Sequence, residues 1–131
     1  MVRREFLGLV PYRHHGIELP DGRMAENSPP GVRITGYEDF TRGRVTRVIS
    51  RPMTGAERDQ AVQRALSRVG ERRYSLTGWN CEHFASWCAT GIAVSQQVAA
   101  CLAWLAGLAR AMLVTAAALL AATTVKAALD G

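Results

Sequence analysis

The apolar positions of this chain change their period twice, and the changes divide it into three regions. Over residues 1–53 they come in short runs of strand length: Phe6–Val10, His14–Leu19 and Arg23–Asn27, with Pro20-Asp21-Gly22 between the last two. An Asp-Gly step between two such runs predicts a β-hairpin. Ser28-Pro29-Pro30-Gly31 then breaks the chain into a loop. Val32–Thr35 and Arg44–Ser50 read as further strands, with Tyr37–Phe40 between them as a helical turn or loop. In Arg44–Ser50 the residues Val45, Arg47 and Ile49 share one face, while Thr46 and Val48 share the other.

From residue 54 the period lengthens to that of a helix. Thr54 and Glu57 form a capping box, and Ala61, Ala65, Leu66 and Val69 follow at helical spacing until Gly70. Asn80 is a favoured N-cap, so Cys81–Thr90 predicts a second, short helix stopped by Gly91. Over residues 98–125 periodicity gives way to a continuous alanine- and leucine-rich stretch. It exceeds the roughly 20 apolar residues needed to span a bilayer. Arg110 near its middle opposes insertion by about 2.5–3.5 kcal/mol, which the surrounding leucines, valines and Met112 could offset; alternatively only Ala111–Val125 inserts with Arg110 at the interface, or the stretch packs as a buried helix or hairpin. Residues 1–97 therefore predict one α+β domain, a small antiparallel β-sheet packed against helices. Residues 98–131 predict a hydrophobic helical anchor.

Charge refines this division. The net charge is +5, and all but one of the basic residues are arginines, the exception being Lys126. Ten arginines lie between Arg33 and Arg73, giving a basic body suited to solvent or to anionic lipid headgroups. No aromatic-rich basic stretch accompanies them, so nucleic acid is not an expected partner. With the basic residues upstream of the apolar stretch, the positive-inside rule predicts the main domain on the cytoplasmic face of a membrane. Met1–Leu9 lacks the apolar run of a secretory signal.

Three cysteines in unpaired spacing fit a reducing compartment. Cys81 and Cys88 would stand two helical turns apart, about 10.5 Å along the axis and too far for a disulfide. Cys81, His83 and Cys88 match no usual zinc spacing. Cys81 is different in kind from the other two. In the first turn of a helix, free N–H groups and the helix dipole favour a thiolate. His83 lies two residues on and points elsewhere, so a base for this thiol must come from His14 or His15. Adjacent on a strand, these two imidazoles face opposite ways, and one of them faces the helical layer. If Leu19 pairs with Arg23, then His14, Gly16, Met24 and Glu26 share one side of the hairpin. Glu26 is then diagonal to His14 and able to orient it. A register shifted by one substitutes Asn27 for Glu26. Gly16 beside His14 would leave room for the cysteine helix.

Four stretches carry a family resemblance. They are Tyr12-Arg13-His14-His15-Gly16-Ile17-Glu18-Leu19-Pro20-Asp21-Gly22, Tyr74-Ser75-Leu76-Thr77-Gly78-Trp79, the pentapeptide Asn80-Cys81-Glu82-His83-Phe84, and Ser95-Gln96-Gln97-Val98. Together they resemble the lecithin:retinol acyltransferase-like family, which includes the small phospholipase/acyltransferases and is a permuted branch of the papain-like NlpC/P60 superfamily. The similarity covers roughly residues 6–98, and a hydrophobic C-terminal anchor is also a family habit. The resemblance implies Cys81 as nucleophile, His14 as base, and Glu26 at the position of the third polar residue, where the family usually has a second histidine. It implies Tyr74 as an aid to the oxyanion. No cofactor or metal is implied.

The chemistry so implied is attack of the Cys81 thiolate on a glycerophospholipid ester, giving an acyl-thioester enzyme that water, an amine or an alcohol resolves. Backbone N–H groups at the helix start would stabilise the oxyanion, about 3–4 kcal/mol per donor. The expected partners are a phospholipid, a membrane surface and the acyl acceptor. Two other readings keep the same fold: an amidase or peptidase of the same superfamily, and a non-catalytic membrane-remodelling protein.

Overall fold

The computed structural model describes residues 2–7, 10–49 and 53–129. Five strands, β1 (Val2–Leu7), β2 (Val10–Glu18), β3 (Met24–Ser28), β4 (Gly31–Thr35) and β5 (Thr46–Arg47), form one antiparallel sheet in the order β4-β3-β2-β1-β5. Four helices accompany it: α1 (Tyr37–Thr41), α2 (Gly55–Ser67), α3 (Cys81–Thr90) and α4 (Gln96–Leu129). The α+β class expected from the patterning is the class observed. The chain divides into two compact units, residues 1–97 and 98–131.

The β2–β3 hairpin has the register that pairs Leu19 with Arg23: the Leu19 N–H donates to the Arg23 carbonyl at 2.8 Å. Pro20-Asp21-Gly22 closes the turn. Gly22 supplies the positive φ of 80° that a three-residue hairpin loop needs, and the Asp21 carboxylate accepts from the Arg23 N–H and Nε. Beyond it Gly16 lies opposite Glu26. The predicted loop at Ser28–Gly31 is instead a two-residue hairpin link, since Ser28 pairs directly with Gly31. Two other boundaries differ from expectation. The first strand begins at Val2, earlier than Phe6, and of the expected Phe6–Val10 run Gly8 and Leu9 lie outside the described residues. Of Arg44–Ser50 only Thr46–Arg47 pairs, against β1, leaving Val45 92% exposed; Ser50 lies outside the described residues.

α2 and α3 cover one face of β2 and β3. The core there joins Leu19, Ala25 and Val32 of the sheet region to Ala65 of α2 and to Phe84 and Cys88 of α3. The predicted capping box of α2 is present, with Thr54 and Glu57 bonding reciprocally. Of the four positions that marked its apolar face, Ala61 and Ala65 are buried, while Leu66 and Val69 are exposed, Val69 lying beyond the helix end at Ser67. Gly31 lets the connector after α2 lie on the β4 edge. A Cβ there would stand 1.8 Å from the Glu71 carbonyl, which instead accepts from the Val32 N–H. On the opposite face of the sheet, Phe40 of α1 packs over His14 and Gly16.

The second unit is the apolar part of α4. Gln96–Lys126 is long and apolar enough to cross a membrane, and none of its apolar window is buried within the molecule. At 34 residues α4 is about 50 Å long, well over a bilayer core.

Candidate active site

The first turn of α3 is built by Asn80. Its Oδ1 accepts from the N–H groups of Glu82 (2.9 Å) and His83 (3.1 Å), while its Nδ2 donates to the Leu76 carbonyl (2.8 Å). His83 turns back, its Nδ1 accepting from the Asn80 N–H at 3.4 Å, and so completes a reciprocal cap. This role for His83 is not legible from a capping rule written for Glu or Gln. The cap also occupies two of the helix-start N–H groups expected to bind an oxyanion, those of Glu82 and His83.

Cys81 is the first residue of α3 and only 3% exposed. Its Sγ lies 3.7 Å from the Arg13 carbonyl oxygen, on the peptide unit that joins Arg13 to His14. β3 pairs with β2 only as far as Gly16, so the sulfur meets β2 at an edge that β3 does not reach. Among the described residues no hydrogen bond joins the thiol to either imidazole. The helix start favours a thiolate, but burial outweighs it and pushes the Cys81 thiol up to about 11. The N–H groups of His15, Glu82 and Cys81 itself pull the other way without winning, and the Glu82 charge opposes them.

The two histidines face opposite ways. His15 is on the α3 side, and burial lowers its imidazole to about 4 against the pull of the Glu82 carboxylate. It is neutral at physiological pH and a weak proton acceptor. His14 is on the α1 side, its ring 5.5 Å from that of Phe40. Gly16 serves this second packing and not the cysteine helix: a Cβ there would stand 2.7 Å from Phe40 Cε2.

His14 Nε2 is 2.6 Å from Glu26 Oε2, with both side chains almost fully buried. The other carboxylate oxygen accepts from Arg33 Nε at 2.9 Å and Nη2 at 2.8 Å. Burial acts to raise the pKa of Glu26, but the hydrogen bonds and charges of His14 and Arg33 outweigh it and hold the carboxyl below its usual range. A neutral imidazole donating from Nε2 to this carboxylate keeps its lone pair on Nδ1. Asn27 lies on the other face and donates to the Trp79 carbonyl at 2.7 Å, bracing the chain before α3. Arg33, expected only as part of the basic body, is instead the partner of Glu26. Its position opposite Glu26 follows once Pro29-Pro30 is read as a two-residue turn. Tyr74 is half-buried; burial raises its hydroxyl, and charge on Cys81 or Tyr12 would oppose its ionisation further.

A cleft of about 190 Å³ runs between β2 and α3 on the His15 side, lined by His15, Ile17, Glu82, Ala85, Ala89 and Met53 among others. Cys81 does not line it.

Comparison with individually curated proteins returned no match. The family model for lecithin retinol acyltransferase matches residues 26–94, a span that begins at Glu26, contains Tyr74 and Cys81, and stops short of His14. That span covers just over half of the 131 residues, and with it the chain belongs to the lecithin retinol acyltransferase family.

Proposed function

We propose that this protein is a thiol acyltransferase or phospholipase acting on glycerophospholipid esters, with Cys81 as nucleophile, His14 as general base and Glu26 as the residue that orients His14. The observation that carries this reading is the His14–Glu26 contact of 2.6 Å on the strand whose Arg13 carbonyl touches the Cys81 sulfur. With the thiol raised to about 11, ionisation needs an acceptor, and of the two imidazoles only His14 is backed by a carboxylate through Nε2.

His14 faces α1 in the resting structure, so in this reading its Nδ1 must come round the β2 edge that β3 leaves uncovered to remove the Cys81 proton as the sulfur attacks the ester carbonyl. The tetrahedral oxyanion collapses, the C–O bond breaks, and the lysophospholipid alkoxide leaves with the proton from His14. The resulting acyl-thioester is attacked by water, an amine or an alcohol, whose proton passes to His14 and then to the departing Cys81 sulfur. Oxyanion donors are the Cys81 N–H, the helix-start group that the Asn80 cap leaves over, and the Tyr74 hydroxyl. Approach of substrate to so deeply buried a sulfur requires the α3 start and β2 to part slightly, as catalytic contacts often do on binding. The domain of residues 1–97 works at the cytoplasmic surface of a membrane, held there by residues 98–131, with local lipid concentration rather than chemistry as the gain.

The test is incubation of the full chain with labelled phosphatidylcholine, with and without an amine acceptor. An acyl adduct on the Cys81 peptide by mass spectrometry, lost in Cys81→Ala and retained in Cys101→Ser, is expected. Peptide amide cleavage without any adduct would instead establish the amidase reading. Bilayer deformation unaffected by Cys81→Ala, again with no adduct, would establish the non-catalytic one.

A further inference from the structure

Arg13 pairs with Arg4 of β1 on one side, but on the other β3 does not reach it, because the β2–β3 pairing runs only from Gly16 to Glu18. Its backbone N–H and carbonyl are nevertheless bonded there. The Arg13 N–H donates to Gln97 Oε1, and Gln97 Nε2 donates back to the Arg13 carbonyl at 3.0 Å. A residue that gives and receives at one partner is what an antiparallel neighbour supplies, and here a side-chain amide takes the place of the missing strand.

The same amide is tied to the helix that carries the thiol. Gln97 Nε2 is 3.1 Å from Glu82 Oε2 and 3.4 Å from His15 Nε2, and the Gln97 N–H also donates to Glu82 Oε2 at 3.1 Å. Ser95 Oγ donates to that oxygen at 2.6 Å. The Arg13 carbonyl is thus shared by Gln97 and by the Cys81 sulfur, and it belongs to the peptide bond that leads into His14. One side chain therefore spans the three parts whose spacing decides proton transfer: the backbone at His14, the first turn of α3, and the contact between them.

We propose that Gln97 is a positioning residue that clamps the Arg13–His14 peptide of the β2 edge to the first turn of α3, and so sets how His14 can approach the Cys81 sulfur. It touches neither substrate nor reacting atom. The inference rests on the catalytic reading of Cys81 and His14 given above. An amide is required for it. Oε1 must accept from Arg13 while Nε2 donates to the Arg13 carbonyl and to Glu82, whereas a carboxylate at this position would lose both donors and face Glu82 with like charge. The titratable and charged groups around it are Glu82, His15 and Arg13.

Three measurements on the full chain test this: kcat and KM with phosphatidylcholine in mixed micelles, the same with a short soluble p-nitrophenyl ester, and hydrogen exchange of the Arg13 amide. Gln97→Met keeps the length and removes the bonds. It is expected to lower kcat by about 10–100-fold on both substrates with KM within about twofold, a loss in the range of general-base catalysis. Arg13 exchange should quicken at least tenfold while core amides such as that of Phe84 are unchanged. Gln97→Glu should be as slow at neutral pH and recover part of its kcat as pH falls and its carboxyl takes up a proton, a rescue that Gln97→Met cannot show. Faster Arg13 exchange with kcat unchanged would overturn the proposal, as would equal losses in kcat, KM and global stability. A parent that forms no acyl-enzyme overturns the catalytic reading and this one together; an active parent whose Gln97 variants keep kcat overturns this one alone.

Discussion

His14 and Glu26 stand diagonally across the β2–β3 pair, Nε2 to Oε2 at 2.6 Å, and Arg33 holds the second carboxylate oxygen from the next strand. Three consecutive strands thus contribute one residue each to a line of charge-assisted bonds. Replacing Glu26 by Gln keeps the shape but removes the charge that both partners need. Glu26→Gln is expected to lower kcat by roughly 10–100-fold and stability by about 1–3 kcal/mol. Steady-state turnover and urea denaturation check the two numbers separately. Unchanged turnover would remove Glu26 from the mechanism.

Acid should destabilise the fold in two separable steps. The His15 imidazole is lowered from 6.5 to about 4 by burial, so the unfolded chain binds its proton first. This contribution is fully present above about pH 6.5 and is lost as pH falls towards 4, a change on the order of 1–3 kcal/mol. Glu26, depressed from 4.5, contributes above that value and loses its share below it. Urea midpoints measured from pH 7 to pH 4 should therefore fall in the parent and flatten in His15→Gln. A parallel fall in both proteins would refute the assignment.

Gly16 tests the packing that supports His14. An added methyl would stand 2.7 Å from Phe40 Cε2, and Phe40 is fully buried, so the ring cannot swing freely into solvent. Gly16→Ala is expected to cost about 1–3 kcal/mol, and Phe40→Leu in the same chain to recover part of it. Additive losses in the double variant, read by thermal or urea unfolding, would show that the two positions do not meet.

The apolar helix gives a localisation test. A fluorescent fusion ending after Val98 retains Gln97 and the first unit but loses the candidate span. It should move from the membrane pellet to the soluble fraction on cell fractionation. Full retention in the pellet would assign membrane binding to the basic first unit instead.

Much of this arrangement could be read from residue order because hairpin registers propagate. Pro20-Asp21-Gly22 with Leu19 opposite Arg23 leads by counting to Glu26 beside His14, and Asn80 with Gly91 bounds α3 to the residue. What could not be read depends on tertiary contacts. Phe40, rather than α3, fills the space at Gly16 because α1 folds back across the sheet. The dipole argument for a Cys81 thiolate is local, while the burial that defeats it comes from β2, distant in sequence. Gln97 sits 84 residues from Arg13, and no periodicity joins a glutamine to the backbone of a strand.

The burial of Cys81 also bears on its exposure to oxidants. Peroxide oxidises the thiolate and not the thiol, and sulfenic acid formation needs access to the sulfur. A thiol that is sealed in and raised by burial is a poor target on both counts. If Cys81 is the nucleophile proposed above, the same burial would spare its sulfur from oxidation whenever no ester is bound.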